Sequence, residues 1–218
     1  MDYRRVDLKD AYNNVLSKKK SLLAEMTIGR KIQNHYLYIR KRSSIYNEKF
    51  LAIYNYTCVY CGANHSLISR TDWEIDHFIC ESSFKKLKNG QTVVDHCKAG
   101  NIYNLVLACS NCNNVKLGFV IDDSLQKILD IDNNGITNVF CRDENTYRII
   151  INDNYKQNQD VVEFYKKLNL GSELKRVSYM LMKIDFLLDN SNISQPKRKI
   201  LEEIYRLLLK KRNLTYEN

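Results

Sequence analysis

The chain has 218 residues, with 34 Lys and Arg, 25 Asp and Glu, and 7 Cys, and 44% of its residues are hydrophobic. This apolar content and length suffice to bury a core without disulfides, which excludes disorder as the main state. No segment approaches the ~20 consecutive apolar residues of a membrane span, and the first residues lack the apolar stretch of a signal peptide, so a cytoplasmic protein is expected.

The formal charge of +9 predicts an anionic partner and is unevenly distributed. Residues 1–50 carry a net charge of +7 and residues 171–218 a net charge of +4, whereas 51–120 are nearly neutral and 121–170 are acidic. We therefore divide the chain into a basic helical region (1–50), a core (51–120) and a C-terminal region (121–218) that packs on the core.

Apolar residues predict two helices in the N-terminal region, separated at Gly29. The first follows from residues near helical spacing: Val6, Leu8, Tyr12, Val15 and Leu16. The second follows from Ile32, Tyr36 and Ile39. The basic cluster after it, at Arg40, Lys41 and Arg42, is either a phosphate contact or a solvated helix face.

The core region predicts a strand around 73–78, a long loop over 79–100, a second strand over 105–108 and a short helix over 111–117. Beyond it, residues 139–141 and 147–151 predict a β-hairpin. Residues 161–170 predict a helix that ends at Gly171, and 174–188 predict a core helix. A last helix is predicted to start at Pro196.

Two Cys-x-x-Cys pairs, Cys58 with Cys61 and Cys109 with Cys112, are the strongest signal in the sequence. A two-residue gap lets both thiolates of a tight turn face one Zn²⁺, and four thiolates close a tetrahedral shell. We therefore predict a structural zinc rather than a catalytic one. The remaining cysteines have no partner at ligand spacing and are predicted to be core residues: Cys80, Cys97 and Cys141.

Between and within these pairs lie Asp76-His77 at the end of the first predicted strand, Asn104 before the second, and Asn113 and Lys116 on the short helix. This order resembles the HNH, or ββα-metal, nucleases, many of which carry two zinc knuckles around the motif. The resemblance covers residues 56–118. The sequence departs from the family in having Asn as the last motif residue and in its long 79–100 loop.

The resemblance implies a metal-dependent endonuclease that hydrolyses phosphodiester bonds of DNA. It implies that Asp76 and Asn113 bind Mg²⁺ or Mn²⁺ and that His77 is the general base acting on water. Asn104 is expected to hold the loop that orients His77. Since neighbouring strand residues face opposite sides, the strand is expected to end or bulge at Asp76-His77.

Several alternatives remain open at the level of sequence. Lys116 is either a phosphate contact or a solvated helix lysine, and His96 has either a loop role or a role as a second acid or phosphate ligand. Glu74 either joins the metal site or forms a salt bridge. The whole chain could instead be a zinc-stabilised nucleic-acid-binding module or a nuclease subunit that needs a partner.

The sequence also leaves open whether the substrate is DNA or RNA and whether the chain works with a partner protein or as a homodimer. Low Gly and Pro with abundant Lys, Asn, Ile and Tyr suggest a bacterial or phage source. Restriction, homing and phage-defence nucleases share the motif, and the resemblance leads us to expect a restriction or phage-defence role without separating these three.

Overall fold

The computed structural model describes residues 2–6, 14–190 and 192–216. These residues form a mixed α+β fold, as predicted, with helices and two-stranded antiparallel sheets. The helices are α1 (Val15–Met26), α2 (Tyr36–Ile39), α3 (Ile45–Ile53), α4 (His96–Ala99), α5 (Ser110–Lys116), α6 (Asp123–Leu129), α7 (Ile136–Val139), α8 (Gln159–Lys167), α9 (Glu173–Asn190) and α10 (Gln195–Tyr216). The strands are β1 (Trp73–His77), β2 (Lys85–Lys88), β3 (Gln91–Val94), β4 (Leu105–Cys109), β5 (Phe140–Arg142) and β6 (Ile149–Ile151).

The N-terminal helices are shorter than predicted. Helix α1 begins only after Asn14, whose φ of 63° is left-handed; Val6 lies outside it, and Leu8 and Tyr12 fall outside the described residues. The break at Gly29 is confirmed, with a φ of 67°. The second predicted helix is reduced to α2, because the side chain of Ser44 caps a new helix, α3, by accepting the N–H of Tyr46.

The centre of the fold is the β1–β4 sheet with α5 packed on both strands. The strands are antiparallel, and their register runs from Trp73 opposite Cys109 to His77 opposite Leu105. All five β4 residues are buried, so both faces of this strand are covered. Strand β1 ends at His77. Of the two alternatives expected at Asp76-His77, a strand end or a bulge, the structure has the strand end.

The segment 79–100 is not the plain loop that the sequence predicted. It contains the antiparallel β2–β3 hairpin and the short helix α4. The hairpin turns at Asn89 and Gly90, which have φ values of 52° and 77°. Two consecutive residues of positive φ are typical of a tight type I′ hairpin turn.

The C-terminal predictions are largely confirmed. Strands β5 and β6 form the expected hairpin, and helices α8, α9 and α10 follow in the expected order. Helices α9 and α10 pack against each other. Helices α6 and α7 were not predicted. No helix within the described ranges combines the length and the apolar character that a bilayer crossing requires.

The first residues form a strap against the core. Tyr3 and Arg4 are buried, and the Tyr3 hydroxyl donates to the backbone oxygen of Tyr60 at 2.6 Å. The guanidinium of Arg142, on β5, donates to the Tyr3 backbone oxygen at 2.7 Å and to that of Cys61 at 3.3 Å. The strap therefore joins the central region to the C-terminal hairpin.

Lys19, in the middle of a run of three lysines, is a core residue rather than a surface charge. Its side chain is fully buried, and its ammonium donates to the Leu105 backbone oxygen at 2.7 Å and to Asp132 at 2.6 Å. The Tyr54 hydroxyl also donates to Asp132, at 3.0 Å. Burial lowers the pKa of Lys19, and the Asp132 carboxylate opposes that shift.

Lys19→Met is expected to lower the free energy of unfolding by about 3 kcal/mol, because it removes the cation that neutralises the Asp132 carboxylate, which is only 11% exposed. The matched variant Lys18→Met, at an exposed position one residue away, is expected to stay within about 0.5 kcal/mol of the wild type. Urea denaturation measures both. Equal effects of the two substitutions would contradict the structural role of Lys19.

Candidate functional site

The four cysteines of the two pairs converge in the structure. Cys58 and Cys61 lie in the turn after α3, Cys109 ends β4, and Cys112 is in α5. All four are buried, and their sulfur atoms lie within 4.8 Å of one another. The Cys61 and Cys109 sulfurs are 3.8 Å apart, which is about the separation that tetrahedral Zn–S bonds of ~2.3 Å impose. The cluster could therefore hold a structural zinc.

The four crowded thiols shift one another's pKa values. Sulfur hydrogen bonds from Cys109, Cys112 and Cys58 lower the pKa of the Cys61 thiol well below its usual value. The hydrogen bond with Cys109 raises the pKa of Cys112 well above its usual value. With no cation among them, four crowded sulfurs cannot all ionise, whereas Zn²⁺ binds thiolates.

The first cysteine turn has one conformation that only glycine accommodates. Gly62 has a φ of 79°, and a Cβ atom there would lie 2.4 Å from the backbone oxygen of Arg4. The Gly62 N–H donates to the Cys58 oxygen at 3.0 Å, which closes the turn. The N–H of Val59 donates to the Leu107 oxygen at 3.0 Å and so fastens the turn to β4.

The other cysteines lie outside this cluster. Among the residues with described placement, Cys80, Cys97 and Cys141 are half-buried and belong to no group that could hold a metal. The prediction that they are core residues is therefore met only in part. Cys80 instead lies beside the hydroxyls of Ser82 and Ser83, at 3.2 and 3.1 Å.

We expect the purified protein to contain about one tightly held zinc per chain, measured by elemental analysis after exhaustive dialysis. Cys109→Ser is expected to lose that zinc and to unfold more readily, because metal binding stabilises the fold. Cys141→Ser, a half-buried cysteine outside the cluster, is the control and is expected to keep it. Zinc retained by both variants would contradict the four-sulfur site.

Asp76 is a buried carboxylate beside this cluster. It is on β1, and its Oδ2 accepts a hydrogen bond of 2.6 Å from the hydroxyl of Tyr60, which lies within the first cysteine pair. The ammonium of Lys116 is 3.1 Å from Oδ1 and 3.0 Å from Oδ2. The cysteine turn and α5 thus both reach the same carboxylate.

Lys116 differs from both sequence predictions, since it is neither a free phosphate contact nor a solvated lysine. It is only 4% exposed, and besides Asp76 it binds the backbone oxygen of His77 at 2.8 Å. The physical reason is that a buried carboxylate needs a compensating charge.

The spacing from Asn113 to Lys116 is one helical turn, which places both side chains on the same side of α5. Asn113 itself is half-buried.

His77, the last residue of β1, is packed against Tyr36, with ring centroids 4.3 Å apart. Its Nε2 is 3.5 Å from the Glu81 carboxylate but makes no hydrogen bond with the described residues. Burial lowers the pKa of His77, while Glu81 and Asp76 act in the opposite direction. The neutral form of the imidazole is therefore favoured at neutral pH.

Glu81 is a site residue that the sequence reading missed. The same carboxylate oxygen lies 3.5 Å from His77 Nε2 and 3.5 Å from His96 Nδ1, so it bridges the two imidazoles. The His96 side chain is 65% exposed. In the sequence, the only sign of this contact is the four-residue separation of His77 and Glu81. That separation points to a site only once the 79–100 segment is seen to bring His96 next to both residues.

Asn104 holds the segment that follows His77. Its Oδ1 accepts the N–H of Ile79 at 2.9 Å, and its Nδ2 donates to the backbone oxygens of Ile79 and Ala99 at 3.0 and 2.8 Å. Asn104 is buried, so these bonds are shielded from water. They fix the loop that carries Glu81 in relation to the end of β1.

The three basic residues after α2 have different surroundings. The Arg40 guanidinium lies 5.3 Å from the centroid of the Tyr36 ring, and the same ring contacts His77. Arg42 donates to the Thr71 oxygen at 2.6 Å and pairs with Glu74 at 3.5 Å. Glu74 therefore forms the salt bridge that was one of its two predicted roles. Lys41 is exposed.

No protein-family model matches the chain, and its comparison with curated proteins and with solved structures gives no significant match. The fold and the site therefore define an α+β protein with a four-cysteine centre that could bind zinc and, next to it, a cluster of buried ionisable groups.

A double-mutant cycle tests the pair of Asp76 and Lys116. Lys116→Met is expected to cost about 3–5 kcal/mol of unfolding free energy, because it leaves a buried carboxylate unpaired. The double variant Asp76→Asn/Lys116→Met is expected to be more stable than the sum of the single changes by at least about 1 kcal/mol. Chemical denaturation at fixed zinc concentration measures this, and strictly additive effects would contradict direct coupling.

Proposed function

We propose that the chain is an HNH-type, divalent-metal-dependent endonuclease that hydrolyses phosphodiester bonds of DNA. The observation that supports this most is the arrangement of β1, β4 and α5. His77 ends β1 opposite Leu105, the residue after Asn104, and Asn113 is on α5, which packs on both strands. The four-cysteine centre lies at the other end of the same sheet, where Trp73 is opposite Cys109. This combination is the one that the sequence resemblance implies.

His77 would take a proton from the attacking water, whose oxygen forms a bond to phosphorus while the bond from phosphorus to the 3′ oxygen breaks. The neutral imidazole is suited to this step, and Tyr36 restricts its orientation. Glu81, next to Nε2, would stabilise the imidazolium that forms. Asn104 would fix the position of Glu81 relative to His77 by its hydrogen bonds to Ile79.

Asp76 and Asn113 would hold Mg²⁺ or Mn²⁺, and their side-chain oxygens are the hard donors that these ions prefer. The Asp76 carboxylate has about four lone-pair positions, and Tyr60 and Lys116 do not occupy all of them. When bound, such an ion neutralises developing charge on the phosphate and the leaving oxygen. Lys116 would hold the carboxylate in place.

The alternative is a zinc-stabilised nucleic-acid-binding module without catalysis. The close pairing of Lys116 with Asp76 favours it, because that lysine already neutralises the carboxylate that would bind the catalytic metal. The two functions differ in whether the phosphodiester bond is broken. A restriction or phage-defence role and dependence on a partner protein remain predictions that belong to the nuclease.

Nicking of supercoiled plasmid in the presence of Mg²⁺ or Mn²⁺ tests the proposal. We expect wild-type protein to nick and His77→Ala to be slower by about 10²–10⁴-fold, the usual contribution of a general base. The control His65→Ala, an exposed histidine whose ring contacts Tyr56, is expected to nick at the wild-type rate.

Equal activity of His77→Ala and wild type would remove His77 as the base. Binding of DNA or RNA without any cleavage of either by the wild type, under conditions where the zinc content is complete, would favour the binding module instead.

A further inference from the structure

The β2–β3 hairpin projects an exposed basic strand. All four residues of β2 are exposed, and three of them are lysines: Lys85, Lys86 and Lys88. Leu87 between them is 77% exposed. From 81 to 98 the segment carries four lysines and two acidic residues.

The base of this hairpin is anchored at the candidate site. Glu81 comes just before the hairpin and lies between the side chains of His77 and His96. His96 comes after the hairpin, next to Asp95. The Asp95 N–H donates to the Phe84 oxygen at 2.8 Å and closes the hairpin at its base. Asn104 fixes the preceding segment. The hairpin therefore has a defined position next to His77.

The lysines of the hairpin differ in their ion pairing. Lys86 pairs with Asp95 at 3.1 Å. In the part of the chain that the structure describes, no carboxylate lies within ion-pair distance of Lys85 or Lys88. Unpaired, exposed cations beside a candidate phosphodiester site are the arrangement that phosphate recognition requires.

Part of the positive charge at the basic ends of the chain is engaged elsewhere in the fold. Lys19 is buried against Asp132, and Arg42 pairs with Glu74. Both carboxylates lie outside residues 1–50, so these pairs reduce the positive charge of that region that is available to a ligand.

We propose that the β2–β3 hairpin is a nucleic-acid-binding element, in which Lys85 and Lys88 bind the sugar–phosphate backbone beside His77. Three strand residues separate the two lysines by roughly 10 Å, the rise of about three base pairs, and the two side chains start from opposite faces of β2, so they reach separate phosphates. This inference rests on the proposed function, because it assigns the substrate-binding surface of the same site.

The test measures binding of a short DNA duplex to His77→Ala protein, which holds the substrate without cutting it. Lys85→Gln/Lys88→Gln is expected to reduce the slope of log affinity against log salt concentration by about 1.8, since each lost phosphate contact removes about 0.9. The control Lys166→Gln/Lys167→Gln removes the same charge from exposed positions on α8 and is expected to leave the slope unchanged.

Equal slopes in the hairpin variant and its parent, or equal losses in the hairpin and control variants, would overturn the proposal. Absence of duplex binding by the parent protein would overturn it as well. Thermal unfolding of each variant checks that the fold is intact. The plasmid assay keeps the two proposals distinct: a wild type that binds through the hairpin but does not nick refutes the nuclease and leaves the hairpin assignment standing.

Discussion

The buried carboxylate of Asp76 is the constraint around which the central region is organised. A buried charge is tolerated only when it is paired and hydrogen-bonded. Here the hydrogen bond comes from Tyr60 in the first cysteine turn, and the opposite charge comes from Lys116 on α5, the helix that carries Cys112. The four-sulfur centre fixes the relative positions of these two segments, so its geometry and that of the carboxylate depend on each other.

Much of the fold could be predicted from local patterns. The strand that ends at His77, the C-terminal hairpin and the convergence of four cysteines follow from apolar periodicity and ligand spacing. The hairpin in 79–100 was missed, although Asn89-Gly90 is a strong turn signal, because its lysine-rich strand lacks the apolar alternation of a half-buried strand. Helix α1 was extended too far, since periodicity cannot reveal the left-handed Asn14.

The candidate site was predictable where adjacent residues carry the signal and unpredictable where long-range packing does. Asp76-His77 could be read directly, and the loop-holding role expected of Asn104 agrees with its three hydrogen bonds. The burial of Lys116 and the bridging position of Glu81 could not be read, because each depends on a contact with a distant segment. A sequence shows that a lysine is present but not which carboxylate neutralises it.

The central region is not a self-contained module, because the strap of Tyr3 and Arg4 supports it from outside. Tyr3 holds the backbone of the residue whose side chain binds Asp76, and Arg142 in turn holds Tyr3. Residues 51–120 contain every cysteine of the sulfur centre but neither of these supports. Excising them as a minimal fragment, or grafting them onto another scaffold, would transfer the motif while removing the contacts that hold its carboxylate pocket in shape.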